Sequence, residues 1–395
     1  MKITFLMPCF MWAPSGGFRI VYEYANRLVS RGHEVTVVHP RRLKYLPPRR
    51  NVSLRERARV ARWTVKELFS KPKVHWHDVD DRVNMQFVPA SDPCYLPDAD
   101  VLFATAWNTV ASVLDCSTQK GEKCYFIQHY ETWMGPKHLV DNTWRTSLHK
   151  VVISRWLLDV GDSLGARDLT YIPNALDHRR YRLVRPIQER ARQIVMMCSA
   201  VPFKGCLDGI KAIQIAKKEF PDLKVVLFGN GRRPAWVPGW MSYWRDPPQS
   251  RIVQEFYNNS SIVLSSSLAE GFALPPAEGA ACGCAIVATD SGGIRDFVDN
   301  GVTGLLSAPR HPQALAENLC MLLSNDDLRI RLARAANRFI ARFTWNNSVA
   351  LMEEFLACVS RKQRVLERRS SSDLVAAGVA DSFAREGVIS ATRES

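Results

Sequence analysis

The sequence predicts an α/β protein built of two Rossmann-like halves that face each other across a cleft. Two observations carry this: two successive series of short apolar runs alternating with helix-like periods, and a basic stretch that separates the series. The first series is ITFLMP at 3–8, EVTVVHP at 34–40, VLFAT at 101–105, CYFIQ at 124–128, VVIS at 151–154 and LTYIP at 169–173. Unbroken apolar runs of this length are the pattern of parallel strands buried on both faces. Between the first two, Ile20, Tyr24 and Leu28 recur four apart, Val21 and Ala25 widen the stripe, and Gly32 stands where a helix would end, which completes a βαβ unit. The basic stretch HRRYRLVRPIQERARQ at 178–193 leads into IVMMCS from 194, LKVVLFG from 223, SIVLSS from 261 and AIVAT from 285. Helical patterning lies between these runs as well, so each half reads as its own layered unit. The expected division is 1–185, 186–362 and a tail at 363–395. The chain reads as helical from 311 to about 360, while the tail, rich in Ser, Arg and Glu, has no periodicity and is expected to be disordered.

Length and composition bound the alternatives. At 395 residues, 46% hydrophobic and 10% aromatic, the chain can bury two cores. No apolar run reaches the roughly 20 residues that span a bilayer. The opening MKITFLMPCFMWAP has one cation, Lys2, an interruption at Pro8 and no small-residue cleavage site, so it reads as a first buried strand rather than a leader. Ten cysteines are scattered singly apart from Cys282 and Cys284, without metal-site spacing. The expectation is reduced thiols in a cytoplasmic protein. The net charge of +14 favours an anionic partner and leaves nucleic acid, a membrane surface and a phosphorylated ligand all open.

The densest motif is SSSLAEGFALPPAEGAACGCAIVATDSGG at 265–293. It places Glu270 in a loop after a strand and Glu278 just inside a helix that Pro275 and Pro276 would open. Glu278 could accept hydrogen bonds from a ribose diol and Glu270 could bind sugar hydroxyls, with the amides of Phe272, Ala273 and Leu274 near phosphate oxygens. The bland alternative for Glu278 is compensation of the helix dipole. PSGGFR at 14–19 follows the first strand, where Gly16 and Gly17 would let backbone amides approach a diphosphate or acceptor; a tight turn explains them about as well.

The 265–293 segment resembles glycosyltransferase family 4, the retaining glycosyltransferases of GT-B fold, in which an EGFGLPxxEAMACGxPVVAT segment carries two glutamates in this spacing. GGIRDFVDNGVTGLL at 292–306 and, in order, the Gly16–Gly17 loop, VVISRW, YIPNALD and KG extend the similarity over about 350 residues. The resemblance implies an acceptor-binding first half, a donor-binding second half, a nucleotide-sugar donor and no metal or other cofactor. It implies catalytic roles for His129, Lys204 and Glu270, with Lys204 offsetting charge on the departing diphosphate. Family members commonly carry an Arg five residues before this Lys; here that position is Ser199, and Arg19 or Arg295 would have to compensate. Asn174 and Ser154 match family positions too, though turn and cap duties explain them nearly as well.

Other features weigh less. GNGRRP at 229–234 lacks the third glycine of a dinucleotide motif, which disfavours a dehydrogenase. HWHDVDD at 75–81 contains a DxD triplet but reads as a solvated connection, not a metal site. Ser53–Phe69 sets Leu54, Ala58, Ala61, Val65 and Leu68 beside a stripe of Arg55, Arg59, Arg62 and Lys66, a basic amphipathic helix that would either pack on the core or dock on anionic lipid at the inner membrane face. YFIQHYETW is loosely similar to rhamnosyltransferases of surface polysaccharide assembly. The expected reaction is sugar transfer to a hydroxyl of a glycan or lipid-linked acceptor. The rival readings are a nucleotide-sugar epimerase or phosphorylase using the same cleft, and a non-catalytic basic protein that binds nucleic acid, for which no recognisable module is present.

Overall fold

A computed structural model describes residues 1–44 and 73–361. The amphipathic helix expected at 53–69 and the tail at 363–395 lie outside the described residues.

Two sheets, parallel throughout, form the frame. The first has the order β3-β2-β1-β4-β5-β6-β7, with β1 Lys2–Leu6, β2 Glu34–Pro40, β3 Asn84–Val88, β4 Val101–Ala104, β5 Glu122–Ile127, β6 His149–Val152 and β7 Leu169–Tyr171. The second has the order β10-β9-β8-β11-β12-β13, with β8 Gln193–Met197, β9 Lys224–Gly229, β10 Ser242–Arg245, β11 Ile262–Ser265, β12 Ala285–Thr289 and β13 Leu305–Ser307. Every apolar run read as a strand is one. β3, β10 and β13 escape that reading for a common reason: two are edge strands with half-exposed patterns, and the third is a three-residue edge. An edge strand faces solvent on one side and carries little apolar signal.

The helix Gly16–Ser30 buries Ile20, Val21, Tyr24, Ala25 and Leu28 against the first sheet. Each large member of that stripe contributes roughly 1.5–3 kcal/mol by leaving water. Gly32, at φ +88°, turns the chain where a side chain would be strained.

The C-terminal helices Pro312–Ser324 and Asp326–Ile340 belong to the second sheet's layer, but the last one, 345–361, returns to the first. There the Trp345 ring meets Tyr24 at 5.1 Å and lies 4.4 Å beneath Arg27, while Phe355 packs on Phe103 at 6.1 Å.

The segment 75–81 is not the solvated connection its polarity suggests. Trp76 Nε1 donates to the Met11 carbonyl at 2.9 Å, and His77 is buried beside the Tyr22 ring at 5.9 Å. The aromatic members of the motif pull it down onto the helix Gly16–Ser30.

Arg190 ties the crossover to the second sheet. It is buried, and its guanidinium donates to the carbonyls of Tyr257 at 3.1 Å, Ser260 at 3.0 Å and Arg185 at 3.0 Å. Arg190→Met removes these charge-assisted bonds and leaves the Tyr257 and Ser260 carbonyls only the weak Cys284 thiol as donor, and the expected loss of stability is about 2–4 kcal/mol. Urea unfolding followed by circular dichroism measures it, and a loss under about 1 kcal/mol contradicts the role.

Candidate active site

The side chains singled out in the sequence stand on loops that leave the carboxyl ends of strands in both sheets, the edge where open parallel sheets hold ligands. β11 runs into the loop 266–273. There Glu270 is buried and fixed by its own backbone, its N–H donating to the Ser291 carbonyl at 2.8 Å and its carbonyl accepting from Gly293 N–H at 3.0 Å. Glu270 Oε1 accepts from Lys204 Nζ at 2.7 Å and from Ser267 Oγ at 2.6 Å. Lys204 ends the short turn Pro202–Lys204 beyond β8. Next to it Gly205 takes φ +58°, and a Cβ there would lie 2.0 Å from the Ser266 carbonyl oxygen, so the two loops touch through backbone. Burial works to raise the Glu270 pKa, but the charge and hydrogen bond of Lys204, then Ser267 and His129, outweigh it and hold the carboxyl below its ordinary value.

His129 follows β5 in the first half. Its Nδ1 lies 3.0 Å from the Tyr130 carbonyl oxygen and its Nε2 3.2 Å from that of Ala269 in the second half. Trp133, Trp156 and Phe203 meet the ring edge-on at 5.3–6.2 Å. Burial lowers its pKa despite Glu270, so the ring is neutral at neutral pH. The junction is tight: a Cβ on Gly271 would come 1.8 Å from the Gln128 carbonyl oxygen.

The helix Leu274–Ala281 opens on Pro275 and Pro276 as expected, with Ala273 at its N-cap in the left-handed region, φ +69°. Phe272 anchors this turn in the core against Phe297 at 5.1 Å and Phe343 at 5.5 Å. Glu278 is the fifth helical residue, beyond the first turn where a carboxylate complements the dipole. One oxygen pairs with Arg19 of the first half, and the other accepts from the Tyr257 hydroxyl at 3.1 Å. Arg19 also donates to the Tyr181 hydroxyl at 2.9 Å, and Gln249 Nε2 donates to that same oxygen. Gly16 and Gly17 open the helix that carries Arg19. A Cβ on Gly16 would stand 3.3 Å from Leu274 Cδ1, and one on Gly17 3.5 Å from Gln128 Oε1. The loop after β9 joins them, Asn230 Nδ2 donating to the Pro14 carbonyl at 2.6 Å.

The remaining candidates separate from this cluster. Ser199 Oγ accepts from Val201 N–H at 3.2 Å. Neither proposed substitute for the arginine missing there is uncommitted: Arg295 grips Asp290 at 2.7 and 2.5 Å with 62% of its side chain exposed, and Arg19 is held by Glu278. Ser154 caps the helix Arg155–Ser163, accepting from Leu157 N–H at 3.3 Å. Asn174 is buried, and its side-chain oxygen has no hydrogen-bond partner among the described residues. Among the described residues, no cluster of three His, Cys, Asp or Glu side chains could hold a metal ion, and no helix is long and apolar enough to cross a membrane.

Four residues that the sequence reading left unremarked belong here: Ser267, Tyr181, Tyr257 and Glu131. The last lies two positions past His129 and accepts from Trp107 N–H at 2.7 Å. Burial pushes its pKa up to about 7, against the pull of that N–H. A carboxyl with a raised folded pKa favours the fold while protonated. That contribution is complete below the unfolded value near 4.5 and is lost as pH rises through about 7. Glu131→Gln keeps the acceptor without the charge. Its stability relative to the natural protein should therefore improve by about 1–2 kcal/mol between pH 5 and pH 8. Denaturant unfolding at both pH values checks this, and an unchanged difference contradicts it.

Comparison with known proteins adds three findings. Residues 191–325 match the family model for glycosyl transferases group 1. The D-inositol 3-phosphate glycosyltransferase of Corynebacterium urealyticum is 37% identical over 108 residues, 27% of this chain and 25% of that protein. The enzyme of the same name from Xylanimonas cellulosilytica is 34% identical over 117 residues, 30% and 28% of the two chains. This chain thus spans about a quarter of the length of the curated relatives it matches. Among solved structures, sucrose-phosphate synthase from Thermosynechococcus elongatus superposes with TM-score 0.67 at 14% identity, over 91% of this chain and 98% of that one. Anabaena HepE in complex with UDP and glucose does so with TM-score 0.64 at 15% identity, over 91% and 100%. At these identities the likeness establishes the fold, which is GT-B: two Rossmann-like units with parallel sheets.

Proposed function

We propose that this chain is a retaining glycosyltransferase of family 4 type that moves a sugar from a nucleotide-sugar donor to an acceptor hydroxyl, in the assembly of a polysaccharide, glycan or glycolipid. The observation that carries the reading is the Lys204–Glu270–Ser267 cluster, set beside His129 where the carboxyl ends of two parallel sheets meet. The match over 191–325 and the UDP and glucose held by HepE support it.

In this reading the second half holds the donor. Glu278 takes the ribose diol, which requires Arg19 to share or yield one carboxylate oxygen. The amides of Phe272, Ala273 and Leu274 and of Gly16 and Gly17 face the diphosphate, and Lys204 neutralises charge that gathers on it as the glycosidic bond breaks. Glu270, held ionised, hydrogen-bonds the sugar and keeps Lys204 in place. Neutral His129 offers a hydrogen bond to a sugar hydroxyl from the acceptor half, which requires its Nε2 to leave the Ala269 carbonyl. The acceptor oxygen attacks the anomeric carbon on the face the diphosphate leaves. Its proton passes to the leaving phosphate oxygen, so configuration is retained without a protein base. This separates the site from retaining hydrolases, whose two carboxyl groups serve as acid and nucleophile.

Thermal unfolding against UDP-, GDP-, dTDP- and ADP-sugars tests the reading. One donor should raise the midpoint by several degrees, because a ligand that binds only the folded state stabilises it. No response to any donor contradicts it.

A further inference from the structure

Away from the Lys204–Glu270 cluster, a cavity of about 700 Å³ forms where three segments meet: residues 73–78 of the first half, 179–184 of the crossover and 249–254 of the second half. That volume suits a small organic ligand rather than a lone ion. Its lining is strongly one-sided in charge, with Lys73, Arg179, Arg180 and Arg182 against the single carboxylate of Asp78. Arg180 is engaged, donating to Gln249 Oε1 at 2.8 Å. The side chains of Lys73, Arg179 and Arg182 have no hydrogen-bond or carboxylate partner among the described residues.

His77 also lines the cavity, with its side chain only 3% exposed. Its Nε2 is shut off from the open space and faces the Glu23 carboxylate, 3.8 Å away. Burial holds the ring neutral, with a pKa down to about 4, so the positive charge of the lining comes from Lys73, Arg179, Arg180 and Arg182.

The walls are fixed in advance. Asn26 Nδ2 donates to the Asp78 carbonyl at 2.8 Å, and Trp76 is held on Met11. On the opposite side Asn258 Oδ1 accepts from Val184 N–H at 2.8 Å while its Nδ2 donates to the Arg182 carbonyl at 3.1 Å. Lys73, Arg179 and Arg182 are exposed residues that line one concave space, and a polyvalent anion placed there would meet their summed charge.

We propose that this cavity binds a phosphate-bearing ligand, with the heads of Lys73, Arg179 and Arg182 on the phosphate oxygens. The rest of the cavity accommodates the group that carries the phosphate. The site is separate from the place proposed for the donor diphosphate at Lys204, yet joined to Glu278, the carboxylate proposed for the ribose, through Arg180, Gln249, Tyr181 and Arg19.

The test uses the full chain and two probes. Inorganic pyrophosphate is titrated by calorimetry with and without saturating UDP, and phosphatidylcholine vesicles doped with phosphatidic acid are tested by flotation. Arg179→Ser with Arg182→Ser serves as the variant, since both side chains are exposed and their loss should leave the unfolding midpoint unchanged. The expected result is binding of at least one probe, weakened about tenfold or more in the variant. The responding probe then distinguishes a free from a lipid-borne phosphate. Binding of neither probe, equal binding by the variant, or pyrophosphate binding that UDP abolishes would each overturn the proposal. Because the arm without UDP stands alone, failure of the nucleotide-sugar reading would show separately, as UDP that does not bind.

Discussion

Lys204→Ala is expected to lower kcat for sugar transfer by about 10²- to 10³-fold, the scale seen when one preorganised donor to a developing anion is removed. The lysine faces two demands. In the proposed reaction it offsets the leaving diphosphate, and in the structure it pairs with buried Glu270, 2.7 Å away, and favours its ionised form. Without it the Glu270 carboxylate is left desolvated, and its pKa rises toward the value that burial alone would impose. Removing one partner of a fully buried pair costs several kcal/mol, but the Lys204 side chain retains 20% of its exposure. Water can therefore reach the orphaned carboxylate in part, and the stability loss should stay below about 3 kcal/mol. The two effects are separable: kcat is measured beside the unfolding midpoint, and Lys204→Ala with Glu270→Gln should be no slower than Lys204→Ala alone, because groups acting as a unit are not additive. A folded Lys204→Ala within about threefold of natural kcat contradicts the assignment.

Gly271→Ala is expected to be nearly as damaging by a route that removes no chemical group. The new methyl would sit 1.8 Å from the Gln128 carbonyl oxygen, where only backbone is present to yield. The two halves must then part at the point where His129 approaches Ala269, and a displacement near 1 Å at a reacting centre costs about 10² in rate. Overpacking also destabilises, by roughly 1–3 kcal/mol. Gly239→Ala, at a position with nothing within 4 Å of the added Cβ, is the control and should leave rate and stability unchanged. Natural kcat in Gly271→Ala contradicts a site closed at this junction.

Much of the frame was legible in the sequence because parallel strands buried on both faces are unbroken apolar runs, and a helix packed on them shows a stripe such as Ile20, Tyr24 and Leu28. The edges were not: β10, SYWR, exposes most of its residues and reads as loop. At the site, the sequence brought Glu270 forward through a motif and Lys204 and His129 through their places at strand ends and the family resemblance, and the structure places the three together. It could not show what commits Arg19. That residue lies 259 positions from Glu278, and the ion pair between them exists only once both sheets are folded and facing. The same holds for Tyr181 and Tyr257, whose hydroxyls look like ordinary core aromatics until Arg19 and Glu278 are set against them. The polar motif at 75–81 misled for the opposite reason, since charge pattern alone does not reveal that Trp76 and His77 turn inward.

Calorimetric titration of UDP-, GDP-, dTDP- and ADP-sugars into the natural protein and Glu278→Gln tests the central claim most directly. The substitution keeps the side chain's size and removes the charge that would receive the ribose diol. The predicted result is one saturable site for one donor, weakened at least about tenfold in Glu278→Gln. No binding of any nucleotide sugar, or equal affinity in the two proteins, would contradict it.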